Sequence, residues 1–110
     1  MRQAEIYYKG EKAGLLTQND DGSFIYQYLD LWMSDNRKPP ISLTLPKTKQ
    51  EYKSNYLFPF FYNMLPEGTN KQVVCKHMRI DNDDYFSLLL ITARYDTIGA
   101  VTVKKIQVNI

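Results

Sequence analysis

The 110-residue sequence predicts an α+β domain, in which a small antiparallel β-sheet packs against about three short helices. Two observations predict this class. In the first half, short runs of alternating apolar and polar residues lie between turn sequences rich in Gly, Asn and Asp. In the second half, apolar residues recur at helical spacing. The length favours one domain over residues 1–110.

The first third of the chain predicts a β-meander. Residues 6–8 and 13–17 are β-prone runs, and the Gly-containing turn sequence KGEK lies between them. Residues 19–22 (NDDG) tolerate left-handed backbone and predict a second turn. Residues 24–29 then alternate as a third strand.

The middle of the chain predicts a helical turn, a strand and a loop. Asp30 is expected to cap a turn over residues 31–33. Apolar and polar residues alternate over residues 41–45, which predicts a fourth strand that Pro46 closes. Residues 47–55 (KTKQEYKSN) are polar and basic and predict an exposed loop.

The first predicted helix begins at Pro59, since proline suits the first helical turn, and it ends at Leu65 because Pro66 follows. Its inward stripe is expected to contain Leu57, Phe60, Phe61, Met64 and Leu65.

Two more helices are predicted after this one. Thr69 and Gln72 have the spacing of a capping box, and the acidic residues 81–84 offer N-caps for a helix over residues 84–92. The apolar residues of the second helix are Val73, Val74 and Met78, and the expected buried residues of the third are Phe86, Leu89 and Leu90.

A last strand is predicted to open at Gly99 and to place Val101 and Val103 on one face. The apolar phase flips across Lys104 and Lys105, which indicates either a bulge or the end of the regular strand.

Composition excludes several classes of function. A formal charge of +2 is too small for a protein whose main task is to neutralise many phosphates. No apolar run is long enough for a membrane helix, and the N-terminal sequence lacks the apolar block of a secretion signal. One cysteine excludes an internal disulfide framework and favours the cytoplasm.

The sequence predicts no catalytic, metal-binding or cofactor-binding site, and therefore no enzyme. Cys75 and His77 alone cannot supply the ligands of a zinc site, and residues two apart on a helix point to different sides. No Gly-rich phosphate loop and no GxSxG sequence is present.

Exposed aromatic residues are instead the candidates for binding a partner. Phe58 and Tyr62 are spaced i, i+4 and are expected to form an aromatic patch off the core, with burial of Phe58 as the alternative. Trp32 is a second candidate anchor, although a half-buried structural role is the favoured interpretation for it. Tyr95 and Asp96 form a third candidate pair.

A rival interpretation is a small nucleic-acid-binding module. In residues 47–56, lysines interleave with tyrosines in the mixture that single strands favour, although a solvated loop explains the same residues. The basic and aromatic residues are Lys47, Lys49, Tyr52, Lys53 and Tyr56.

The motifs in order resemble the N-terminal subdomain of HipA-type serine/threonine kinases, which are toxins of bacterial toxin–antitoxin systems. The resemblance is carried by YYKGEKAGLL, FIYQY, PPISLTLP, FPFFYNMLPEG and DDYFSLLLITARYDTIGAV. It covers residues 6–103. The family commonly has a Gly-Arg-Asp type of sequence before Gly-Ala-Val, where this chain has residues 93–96 (ARYD).

The resemblance implies a module separate from the kinase core, because the sequence lacks the ATP-binding, catalytic-loop and metal-binding motifs of a kinase. In split systems, a small HipS-like protein similar to this subdomain binds a separate HipA-like kinase and acts as its antitoxin, and a helix-turn-helix repressor commonly completes the operon. The alternative is that these residues begin a longer HipA-like kinase.

Overall fold

The computed structural model describes residues 1–65, 68–81, 83–92 and 100–106. Within these residues, one antiparallel sheet has the strand order β4-β3-β2-β1-β5. The strands are β1 (Arg2–Tyr8), β2 (Glu11–Gln18), β3 (Phe24–Tyr28), β4 (Glu51–Ser54) and β5 (Val101–Lys105). The helices are α1 (Asp30–Ser34), α2 (Pro59–Tyr62), α3 (Gly68–Met78) and α4 (Tyr85–Thr92). The predicted α+β class is confirmed.

Both predicted turns of the meander are confirmed. Lys9 and Gly10 have φ values of 49° and 83°, the left-handed conformation that a tight two-residue hairpin needs at both central positions. The Lys9 N–H also donates to the carbonyl of Ala100 at 2.9 Å, which ties this turn to the chain just before β5. In the second turn, Gly22 has a φ of 90°.

The core lies on one face of the sheet. Leu16 pairs with Ala4 on β1 and with Tyr26 on β3, and all three are completely buried. On the same face, Ile6 pairs with Val103. The helices cover this face; the ring of Tyr26 lies 5.9 Å from that of Phe61 on α2.

The strand predicted over residues 41–45 is wrong. Ile41 and Leu45 are buried as expected, but a turn joins them, with the Leu45 N–H donating to the carbonyl of Ser42 at 3.1 Å. The hydroxyl of Tyr28 holds both ends, because it accepts from the Ile41 N–H at 3.0 Å and donates to the Leu45 carbonyl at 2.5 Å. Leu43 is 95% exposed. The alternation of apolar and polar residues over only five positions therefore does not distinguish a turn from a strand.

The exposed loop predicted over residues 47–55 is also wrong in part, because it contains β4. This strand pairs with β3 at the edge of the sheet, where Tyr52 lies opposite Tyr26. Only four residues pair, and Glu51 and Lys53 flank the single aromatic residue. Short, charged strands are typical of sheet edges and give little alternation to detect.

The helix starts and ends differ from the predicted ones in two places. Asp30 does not cap α1; it is the first helical residue, and its carboxylate accepts from the Gln50 side chain at 2.5 Å. α2 ends at Tyr62, and residues 63–65 continue as a tighter turn. Asp84 is confirmed as a cap of α4, since its side chain accepts from the Ser87 N–H at 3.2 Å.

Two of the apolar residues of α3 face solvent, since Val73 and Met78 are 60% and 47% exposed. The buried residue is Cys75, with Val74 half-buried beside it. Val73 is one residue, or about 100°, from Val74 and so turns away from the core. In α4, burial of Phe86 and Leu89 is confirmed, and Leu88 is buried as well.

The remaining predictions for this half concern β5, Gly99 and Thr69. Val101 and Val103 are buried as predicted, and β5 ends at Lys105, which explains the change of apolar phase. Gly99 and the side chain of Thr69 lie outside the described residues.

Replacement of tyrosine by phenylalanine is expected to change the free energy of unfolding in opposite directions at Tyr26 and at Tyr28. Tyr28→Phe removes the hydroxyl that bonds Ile41 and Leu45, and we expect the free energy of unfolding to fall by about 1–3 kcal/mol. Among the described residues, the Tyr26 hydroxyl is a buried side-chain group without a hydrogen-bond partner. Tyr26→Phe should therefore raise the free energy of unfolding by about 1 kcal/mol. Urea denaturation of both variants measures the difference; equal effects would contradict this assignment.

Burial of these two tyrosines also predicts a loss of stability in alkali. Burial raises the pKa of Tyr28 to about 12 and raises the pKa of Tyr26 further, because the phenolate form is poorly solvated in the core. Unfolded tyrosines ionise near pH 10. The stabilising contribution of the neutral rings is thus fully present below about pH 10 and is lost as the pH rises towards about 12. We expect the urea midpoint to fall over this interval, and to fall less in Tyr28→Phe; a flat midpoint from pH 9 to pH 12 would refute the effect.

Candidate partner-binding surface

Phe58, a predicted surface residue, lies in the core and is 7% exposed. It has an extended backbone just before α2, with ψ of 137°, and its ring centroid lies 6.4 Å from that of Phe61. The expected i, i+4 patch with Tyr62 does not form, because Phe58 is not part of the helix that orients Tyr62.

Trp32 is likewise buried, at 3% exposure. Its indole N–H donates to the carbonyl of Pro39 at 2.9 Å, and its ring packs edge-to-face on Tyr8 at 5.7 Å. The Lys38 ammonium lies 4.8 Å from the ring centroid. These contacts give Trp32 a structural role in holding the segment after α1 against the sheet. Tyr95 and Asp96 lie outside the described residues.

Tyr62 is the one exposed residue among the described partner-binding candidates, at 49% exposure. Its ring packs edge-to-face with that of Tyr85 at the start of α4, with centroids 5.6 Å apart and an interplanar angle of 81°. The second aromatic patch therefore exists, but Tyr85 takes the place expected for Phe58.

Tyr62 and Tyr85 belong to a larger cleft, which we call the tyrosine cleft. It has a volume of about 380 Å³ and lies where the β2–β3 turn, the segment after β4, α2 and the start of α4 meet. Its lining residues are Gln18, Gly22, Phe24, Asn55, Tyr56, Leu57, Tyr62, Asp83 and Tyr85. The tyrosine cleft combines aromatic walls with an open carboxylate.

Some residues that line the tyrosine cleft are buried in the core, and others are exposed to solvent. Phe24 and Leu57 are buried and anchor two of the converging segments in the core. Tyr56 is 80% exposed, and its N–H donates to the Ser54 hydroxyl at 3.1 Å. Exposed tyrosines on a rigid base can bury large contact area at low entropic cost.

Among the described residues that line the tyrosine cleft, Asp83 is the charged one. It is exposed and makes no hydrogen bond or ion pair with another described residue. Asp21 precedes the lining residue Gly22 in the turn; hydrogen bonds from the hydroxyl and N–H of Ser23 hold the pKa of Asp21 below its usual value. Within the described part of the chain, Lys71 places a cation near a ring of the cleft, with its ammonium 5.4 Å from the Tyr85 centroid.

Several basic and aromatic side chains of residues 47–56, the segment considered for nucleic-acid binding, make contacts within the domain. Lys47 donates to the carbonyls of Asp35 and Lys38 at 2.7 and 2.8 Å. Lys49 lies over the ring of Tyr52, at 5.1 Å from its centroid. These contacts favour a structural role for this segment over a surface for single-stranded nucleic acid.

The described residues hold no group of three or more His, Cys, Asp or Glu side chains placed to bind a metal ion. Cys75 is buried whereas His77 is exposed on the same helix, so the two do not form a reactive pair. No helix in the described part of the chain has the length and apolar character needed to cross a membrane.

The sequence did not identify Tyr56, Asp83 or Tyr85 as neighbours of Tyr62 in one surface. Tyr56 was expected in the basic and aromatic segment of residues 47–56, and no surface role was predicted for Tyr85. No local signal links them, because 28 residues separate them and only the packing of α4 beside α2 brings them together.

The fold defines a class: a small α+β domain that matches a solved structure described as the N-terminal domain of HipA toxin. The match has a TM-score of 0.72 and 29% sequence identity, and it covers 97% of this chain and 94% of that one. The family model of the HipA N-terminal domain matches residues 4–104. The chain belongs to the HipA N-terminal domain family, as the sequence resemblance implied.

Two kinds of relatives contain this domain. An uncharacterized protein of Haemophilus influenzae is 32% identical over 105 residues, which cover 96% of this chain and 93% of that protein. Two Sinorhizobium fredii proteins, named "Putative kinase Y4mE" and "Putative kinase Y4dM", are 27% and 32% identical over 81% and 90% of this chain. The matched part is only 21% and 25% of those two proteins.

Proposed function

We propose that this chain is a non-catalytic binding subunit that docks on a separate HipA-like serine/threonine kinase core and restrains it, as an antitoxin does. The observation that carries the proposal is the difference in relative length. The same domain accounts for 93% of the Haemophilus influenzae protein but for about a fifth to a quarter of the two larger relatives. In one relative the domain makes up nearly the whole protein, and in two others it is joined to a longer sequence. This difference is expected of a domain that can bind the longer part either as a separate subunit or within one chain.

The tyrosine cleft is the docking surface that the geometry supports best. Tyr56 and Tyr62 expose 80% and 49% of their surface beside the buried anchors Phe24 and Leu57. Interface hot spots are enriched in tyrosine and are surrounded by well-packed positions. Restraint of the kinase by occlusion of its nucleotide site, or by stabilisation of an inactive arrangement, is consistent with docking at this surface.

The alternative is that the domain is the N-terminal part of a longer kinase. Docking would then be intramolecular, and a high effective concentration would replace affinity between subunits. Both versions use the same surface. A helix-turn-helix repressor remains the third component that we propose for the system, with any contact to DNA made by that protein.

Co-expression with the product of the adjacent gene tests the proposal. If that gene encodes a HipA-like kinase, we expect the two proteins to co-purify and the chain to relieve the growth arrest that the kinase causes. Failure of both outcomes beside such a kinase would refute the proposal. Salt-sensitive retention of the isolated chain on DNA or RNA would instead favour the nucleic-acid-binding alternative.

Removing the exposed rings should weaken docking without unfolding the domain. We expect the double variant Tyr56→Ala, Tyr62→Ala to lower the affinity for the kinase at least about 30-fold, since hot-spot truncations cost about 2 kcal/mol or more. Leu43→Ala is a matched control, because Leu43 is 95% exposed near the opposite end of β3. Equal binding by the double variant and the control, measured by calorimetry, would exclude the tyrosine cleft as the docking surface.

A further inference from the structure

We propose that the tyrosine cleft binds an arginine side chain that the kinase partner presents. This inference rests on the proposed function for the identity of the partner, but the specificity of the cleft for a guanidinium group is a property of this chain. It follows from two features that the docking proposal does not use, the ring geometry and the open carboxylate of Asp83.

The exposed rings of Tyr56 and Tyr62 offer accessible aromatic surface in the cleft. Tyr62 and Tyr85 meet edge-to-face at 81°, so the edge of one ring covers one face of the other and the two rings are not stacked. The ammonium of Lys71 lies 5.4 Å from the Tyr85 centroid, within the range of a cation–π contact. Tyr62 and the more exposed Tyr56 have no recorded cation near their rings among the described residues.

The carboxylate of Asp83 supplies the charge that an incoming cation needs. It lines the same cleft, and no described residue neutralises it. Other acidic groups differ from it, since Asp84 is paired with Arg2 at 2.8 Å, Asp20 is paired with the N-terminal ammonium group, and neither Asp81 nor Asp21 lines the cleft. Asp83 is thus the carboxylate that is both unpaired and positioned in the aromatic cleft.

Arginine suits this combination better than lysine or an apolar side chain. A guanidinium is planar and weakly hydrated, so it stacks on a tyrosine face while it donates two hydrogen bonds to one carboxylate. A lysine ammonium keeps its hydration more strongly and lacks the fork geometry. An apolar residue would bury Asp83 without a partner, at a desolvation cost.

Peptide titration of the isolated domain tests the inference without the kinase. The probes are the tripeptide Gly-Arg-Gly and its neutral isostere Gly-citrulline-Gly, with binding followed by the NMR shifts of Tyr56, Tyr62 and Tyr85. We expect the arginine peptide to bind about ten times more tightly than the citrulline peptide. Asp83→Asn should abolish this preference, whereas Asp81→Asn should keep it, because Asp81 is exposed in the same connection but does not line the cleft.

The same variants are then compared for kinase binding. Asp83→Asn should lower the affinity for the kinase about tenfold, or about 1.4 kcal/mol, and Asp81→Asn should leave it unchanged. Equal binding of both peptides, or equal effects of the two variants, would overturn the arginine assignment while docking through the tyrosines stands. A retained peptide preference in a chain that fails to bind the kinase would support the arginine specificity and would refute the proposed function.

Discussion

Replacing Phe61 with alanine is expected to lower the free energy of unfolding by about 3–5 kcal/mol. The side chain is completely buried, and its ring contacts those of Tyr26, Phe58 and Phe60, with centroids 5.9, 6.4 and 5.2 Å away. The substitution removes an aromatic ring from the junction of α2 with the sheet and leaves a cavity. A domain of this size has a free energy of unfolding of about 5–15 kcal/mol, so the substitution would remove a large fraction of it.

Urea denaturation followed by fluorescence measures this loss, and Tyr62→Ala is the matched control. Tyr62 follows Phe61 in α2 but is 49% exposed, so its removal should cost about 1 kcal/mol or less. The comparison also shows whether weaker docking of a Tyr62 variant is caused by the loss of contacts with the partner or by unfolding of the domain. A similar cost for both substitutions would contradict the assignment of Phe61 as the central contact between α2 and the sheet.

Gly14→Ala is expected to lower the free energy of unfolding by about 1–3 kcal/mol. A Cβ atom at Gly14 would lie 2.5 Å from the Gln27 carbonyl oxygen and 2.5 Å from the Tyr26 hydroxyl. The carbonyl belongs to the paired strand β3, so the backbone has to shift to admit even one methyl group. A β-bulge between Ile6 and Tyr7 in the β1–β2 pairing adjoins this position.

A double-mutant cycle separates the contact with the Tyr26 hydroxyl from the other close contacts at Gly14. Tyr26→Phe removes the hydroxyl but keeps the Gln27 carbonyl and the Tyr26 ring carbon Cζ at 2.8 Å, so it should recover only part of the stability that Gly14→Ala loses. Strict additivity of the two substitutions would contradict the predicted clash with the hydroxyl. Full recovery would exclude the clash with the β3 backbone.

Local chemistry predicted the meander well, because each of its turns is determined by a few residues. Gly10 and Gly22 adopt positive φ as their turn sequences require, and the alternation of β3 is read directly from Phe24 to Tyr28. Burial of Phe61 and Phe86 also follows from helical periodicity. The conformation and burial of these elements follow from the spacing of residues within each segment.

The errors arose where a distant residue decides the conformation. Residues 41–45 form a turn because the hydroxyl of Tyr28, 13 residues or more away, bonds to both of its ends. β4 forms because β3 leaves an edge to pair with, although its own sequence is short and charged. Neither cause lies inside the segment whose structure it determines.

The candidate site was only partly predictable for the same reason. The exposed ring of Tyr62 follows from its position on α2, opposite the inward stripe. Tyr56, Asp83 and Tyr85 join it through tertiary packing, which no spacing rule encodes. Phe58 and Trp32 are core residues because neighbouring segments cover them, and their aromatic character alone does not distinguish a core residue from a surface anchor.

If the adjacent gene encodes a HipA-like kinase, titration of the purified chain into that purified kinase tests the central claim most directly. The kinase's phosphorylation activity should fall to a plateau as a one-to-one complex forms, and the Tyr56→Ala, Tyr62→Ala variant should require a much higher concentration. Unchanged kinase activity at saturating chain, or phosphorylation by the purified chain alone, would contradict a non-catalytic subunit that restrains its kinase.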